Sequence, residues 1–150
     1  MSLKDTLLKD IQLATLAKNV ARRNTLRLMR AAISNAEIEI GQPLSDKDEI
    51  EILTREAKRR REAIEEYAPL GRQDKVEEAK IELAIIDEYL PRQMERSEIE
   101  ALARQAVIES GVSDISGIGD VMRRLMPKVK DRADGRVVSE IVKKLLAEGR

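Results

Sequence analysis

The only side chains grouped densely enough in this sequence to suggest a chemistry are arginine and lysine, and the chemistry open to them is anion contact. Arg23, Arg27 and Arg30 are spaced four and three apart, which puts them on one helix face, and no acid occurs from Ile11 to Ala36. That face reads either as a row of guanidinium groups for phosphates or as a basic surface packed on acids elsewhere. The segment from Glu37 to Glu51 holds six acids and one lysine as candidate partners. Lys58-Arg59-Arg60-Arg61 is a second run. Four successive helical residues point four ways, so it reads as ordinary surface, with Glu51–Arg55, Lys58–Glu62 and Arg61–Glu65 at i,i+4 spacing, each pair worth about 0.2–0.5 kcal/mol. Arg60 alone falls in line with the apolar Ala57, Ile64 and Tyr67, either snorkelling or as a functional inward charge. The third group is Arg123 and Arg124, then Lys128, Lys130, Arg132 and Arg136, followed by Lys143 and Lys144. A basic loop that feeds a helix N-terminus suits a phosphate, because the free amides there favour an anion. Asp134 competes for that cap, which leaves a well-capped, solvated connection as the other reading.

Composition closes other routes. The 150 residues include no His, Cys, Trp or Phe, so a His-based triad, a Cys nucleophile, His or Cys zinc ligands and disulfides are all excluded. With Tyr67 and Tyr89 as the only aromatics, there is no platform for stacking bases, and both rings read as buried with the hydroxyl at the rim. Gly117-Ile118-Gly119 lacks a preceding strand and a Gly-Lys-Ser/Thr ending, so it reads as close approach or a tight helix start rather than as a nucleotide loop. Glu65/Glu66, Glu77/Glu78 and Asp87/Glu88 are consecutive and diverge on a helix, which recreates no paired-carboxylate site. No catalytic residue, metal site or cofactor is therefore expected. Lys+Arg and Asp+Glu balance at 28 each, so nucleic acid has only local patches to meet. The chain contains no apolar run near the roughly 20 residues a membrane span needs, and its start lacks the pattern of a signal or transit peptide; the expected compartment is the cytoplasm.

The elements that must position these residues are all helical. Charged residues make up 37% of the chain, and Ala, Leu, Ile, Glu, Lys and Arg dominate it; all but the β-branched Ile lose little freedom on a helix. Seven helices are predicted. The first carries Leu3, Leu7, Leu8, Ile11 and Ala14 inward. The second, Val20 to Ile40, carries Leu26, Met29, Ile33, Ala36 and Ile40 and ends at Gly41 and Pro43. Ser45 caps the third, with Ile50, Leu53, Ala57, Ile64 and Tyr67 inward. The fourth carries Val76, Ala79, Leu83, Ile86 and Leu90 and stops at Pro91. Pro91 to Arg96 reads as a linker. Ser97 with Glu100 reads as a capping box opening the fifth helix. The sixth starts near Ser116-Gly117 and ends before Pro127. Asp134 caps the seventh, which carries Val138, Ile141, Val142, Leu145 and Leu146 inward, with Gly149 after it. The expected architecture is all-α: residues 1–92 form an antiparallel bundle of about four helices, and residues 93–150 form a small three-helix bundle.

Several stretches resemble the YqeY family. They are Leu26-Arg27-Leu28-Met29-Arg30-Ala31-Ala32-Ile33, then Glu56-Ala57-Lys58-Arg59-Arg60-Arg61-Glu62-Ala63-Ile64, and the junction Glu88-Tyr89-Leu90-Pro91-Arg92-Gln93. The most specific is Met126-Pro127-Lys128-Val129-Lys130 followed by Arg132-Ala133-Asp134-Gly135-Arg136. The family is similar to the tail of the B subunit of the glutamine-dependent tRNA amidotransferase, a helical region implicated in holding tRNA while catalysis occurs in other domains. The resemblance implies a helical module without its own active site, either a tRNA binder or an amidotransferase accessory. Asp120 stands where the family pattern usually carries a lysine after the glycine, which weakens that end of the site relative to Lys128–Arg136.

The leading expectation is tRNA binding by shape and phosphate contacts through Arg123, Arg124, Lys128, Lys130, Arg132, Arg136, Lys143 and Lys144, with Arg23, Arg27 and Arg30 as a secondary face. DNA is not an expected partner. The rival is a protein–protein adaptor docking on amidotransferase subunits or another protein, for which Met122 and Met126 offer an adaptable surface.

Overall fold

The computed structural model of the chain describes residues 2–148, and among these it contains seven α-helices, one 3-10 turn and no strand. The chain divides into two compact units at the Leu90–Pro91 junction.

The first unit contains α1 (Leu3–Leu16), α2 (Val20–Ile40), α3 (Asp46–Tyr67) and α4 (Gln73–Asp87). The first three starts have a local cause. Ser2, Asn19 and Ser45 accept from the amides of Asp5, Arg22 and Asp48, satisfying donors that have no partner inside the helix. Gly41, at φ 76°, ends α2 in a left-handed cap. α1 packs on α2, α3 on α4, and α2 touches both α3 and α4. Leu7, Leu26, Met29, Ile33, Leu53 and Ile86 are fully buried at the centre, each worth about 1.5–3 kcal/mol of transfer free energy. Two expected core residues lie outside: Leu8 is 41% exposed and Ile40 53%, because the buried arc on each helix is narrower than the apolar pattern. Glu49, only 2% exposed, reaches from α3 to accept the Lys4 amide at 3.1 Å, fixing the N-terminus of α1.

The second unit contains α5 (Arg96–Ser110), a 3-10 turn (Ile115–Gly117), α6 (Ile118–Val129) and α7 (Gly135–Glu148). Gly149 lies outside the described residues. Ile99, Ala103, Val121, Leu125, Val138 and Val142 belong to its core. The structure corrects three local expectations. α5 is boxed by Glu95 and Glu98 rather than by Ser97 and Glu100, with the Glu95 amide donating to Glu98 at 3.4 Å; Ser97 lies already inside the helix. α6 runs through Pro127 to Val129, because the lost donor falls on the exposed side and continuing the turn buries Val129 completely. The segment from Pro91 is not a free linker: the Met94 amide donates to the Arg132 carbonyl at 2.8 Å, and Gln93 Nε2 donates to the Asp131 carbonyl at 3.3 Å.

Candidate nucleic-acid interface

α6 carries the first three predicted cations, all exposed. Arg123 is tied to Asp120 at 3.0 Å, so that acid neutralises one of the two arginines beside it. Arg124 and Lys128 are one turn apart on the same face and form no ion pair among the described residues. Helical spacing likewise places Arg136 and Lys143, seven residues apart, on one face of α7, and both are exposed. Lys144 is also exposed but points about 100° away from Lys143. Lys130 is exposed just beyond α6.

Arg132 goes elsewhere. Its Nε donates to the Arg92 carbonyl at 2.9 Å, and its guanidinium lies 3.8 Å from Glu98. Glu98 also binds Arg92 at 3.0 Å. The backbone amide of Glu95 and then the Arg92 guanidinium hold the Glu98 carboxyl below the usual carboxylate range. The loop itself is tightly specified. Asp131 adopts a left-handed conformation at φ 65°, the Arg132 amide closes a turn onto Val129, and Asp134 accepts the Arg136 amide at 2.9 Å to cap α7. That cap occupies the amides an external anion would use, so contact with phosphate falls to the side chains around it.

The two glycines before α6 differ in role. A Cβ at Gly117 would overlap Val112, whereas one at Gly119 would meet open space. Met122 and Met126 are half-buried against the core of the unit, so they offer less adaptable surface than expected.

The secondary face belongs to the other unit. Arg23 donates to the Asn24 side chain at 3.1 Å, Arg27 is exposed, and Arg30 is half-buried with its Nε shielded and without an acceptor. Much of the other positive charge in this unit is neutralised within the fold. Lys4 pairs with Glu37 at 2.8 Å, and Arg22 pairs with Glu88 at 2.9 Å. Arg60 points inward between Glu56 at 2.9 Å and Glu82 at 3.5 Å. Tyr89 donates to Asp10 at 2.5 Å and accepts from Arg22, and burial followed by that bond pushes its phenol well above the ordinary range. Sequence reasoning missed Glu49, Glu98 and the strap around Arg92–Met94. The only local signal was the Glu95–Glu98 spacing of a capping box. Among the described residues no group of three or more His, Cys, Asp or Glu could hold a metal ion.

These features define a two-unit helical module whose exposed, unpaired charge includes a concentration near its C-terminal end. The family model described as Yqey-like protein matches residues 4–146, and the chain belongs to the YqeY family. It is similar to a protein of Pyrenophora tritici-repentis (strain Pt-1C-BFP) named altered inheritance of mitochondria protein 41, mitochondrial. The two are 31% identical over 144 residues, covering 93% of this chain and 76% of that protein. No helix among the described residues is long and apolar enough to cross a membrane.

Proposed function

We propose that the C-terminal unit binds tRNA by shape and phosphate contact, as a non-catalytic module accessory to tRNA-dependent amidation. The observation that carries this reading is the charge of the unit's second half: from Arg123 to Lys144 there are eight cations and three acids. Arg124, Lys128, Lys143 and Lys144 have no ion-pair partner among the described residues. In the first unit, by contrast, Lys4, Arg22 and Arg60 are each paired with an acid. Without aromatic platforms, recognition rests on phosphates and 2′-hydroxyls, so affinity falls steeply with salt. The reading places the chain in the cytoplasm, where its tRNA partner would be met.

The test is a salt titration of unfractionated tRNA binding with Arg124→Glu/Lys128→Glu. Binding weakens at least about tenfold at low salt, and the slope of log affinity against log salt becomes shallower by about two, one for each lost phosphate contact. The thermal midpoint stays in place, since both side chains are exposed. Equal binding by both proteins rules this surface out.

A protein adaptor is the second reading. It is favoured by an open groove of about 400 Å³ between α2 and α3, floored by Ala31, Ala32 and Ala36, where Leu28 stays 52% exposed. A partner that co-purifies after RNase treatment and is lost in Leu28→Glu supports this alternative.

A further inference from the structure

We propose that Glu98 is a positioning residue for the loop that joins α6 to α7, setting how Lys130 and Arg136 are presented while itself touching no RNA. This rests on the RNA reading above. The loop from Lys130 to Asp134 closes a turn onto Val129 and caps α7, and the strap that precedes α5 fastens it from outside. Four contacts fasten the two segments. The Met94 amide meets the Arg132 carbonyl at 2.8 Å, Gln93 meets the Asp131 carbonyl at 3.3 Å, Arg132 Nε meets the Arg92 carbonyl at 2.9 Å, and the Arg132 guanidinium lies 3.8 Å from Glu98.

Glu98 is the hub of this arrangement. One oxygen takes Arg92 at 3.0 Å and the Glu95 amide at 3.4 Å, and the other faces Arg132. It therefore joins the start of α5, the strap and the loop. Both Glu98 and Arg132 side chains are 35% exposed, so the pair is partly shielded from solvent screening. Arg132 is accordingly spent on holding the loop. The left-handed backbone at Asp131, φ 65°, is the point at which the chain reverses from α6 towards α7. Release of the strap loosens that reversal and widens the positions sampled by Lys130 and by the start of α7 that carries Arg136, adding an ordering cost to every binding event.

The sign of the effect makes the test discriminating. Glu98→Gln removes a negative charge beside a polyanion site, so simple electrostatics predicts tighter tRNA binding. Positioning predicts the reverse. In the full chain, Glu98→Gln should weaken unfractionated tRNA binding by about three- to tenfold, with a shallower salt slope. It should also speed hydrogen exchange at the Met94 and Arg132 amides while leaving the core amides of α5 protected. Arg132→Lys, which keeps the charge but lacks the fork that spans Arg92 and Glu98, should behave like Glu98→Gln.

Unchanged exchange at Met94 in Glu98→Gln overturns the claim that Glu98 holds the strap. Faster exchange with equal or tighter tRNA binding overturns the claim that the strap governs presentation. A wild-type chain that leaves tRNA unbound overturns both this inference and the RNA reading, whereas a wild type that binds alongside an unimpaired Glu98→Gln overturns the inference alone.

Discussion

Tyr89 shows how a single side chain in this chain was half legible. Its place beside an apolar stripe marked it as a buried ring with the hydroxyl at the rim, and the ring is indeed half-buried. Nothing local indicated that the hydroxyl would meet Asp10 and Arg22, which lie 79 and 67 residues away along the chain. Because its folded pKa is raised above the unfolded value near 10.0, the stabilisation it contributes is complete below that value and drains as pH rises through the folded pKa. Tyr89→Phe is expected to cost about 1 kcal/mol at pH 8, less than the ~1.5–3 kcal/mol of a bond to a charged acceptor because the site is partly exposed. The gap to wild type should narrow above pH 10, as followed by urea denaturation at pH 8 and pH 11. A gap that widens instead contradicts the assigned bond.

At the scale of the element, helix existence and order were readable because apolar spacing and caps are local. The departures arise where packing overrode a local rule. Pro127 predicts a stop, yet α6 continues because burying Val129 outweighs one solvent-facing hydrogen bond. The Gly117/Gly119 pair makes the same point. Sequence reasoning treated both alike, while only the structure shows one pressed on Val112 and the other facing open space. Gly117→Ala is therefore expected to destabilise by about 1–3 kcal/mol, the range for overpacking. Gly119→Ala, inside α6, is expected to stabilise by about 0.5–1 kcal/mol. Chemical denaturation of the two variants should give opposite signs, and a shared sign would show that backbone conformation, not space, controls both positions.

At the scale of the whole molecule, the chain has two cores and a junction at Leu90–Pro91, two residues before the break expected from the proline and the following polar stretch. The difference matters because Arg92, whose carbonyl accepts from Arg132 and whose guanidinium binds Glu98, bonds within the second unit. A fragment of residues 91–150 is expected to unfold cooperatively on heating, as three amphipathic helices around one core can do at this size. A fragment starting at Ser97 lacks the strap and should melt several degrees lower, read by circular dichroism. Equal midpoints would mean that the strap adds nothing to the stability of the unit.

The eight-cation segment was legible from residue types alone, and so was the exclusion of His- and Cys-based chemistry, because a missing side chain cannot be supplied by folding. The helical class was likewise set by local spacing, propensity and capping, which act within a few residues. Only the tertiary structure decided which cations are available. Arg132 is drawn to Glu98, Arg22 to Glu88 and Arg60 towards Glu82, while Arg124 and Lys128 keep a shared open face. The physical reason is that a charge is neutralised by whatever lies within a few ångströms of it, and in this chain several of those neighbours come from residues 22 to 66 positions away.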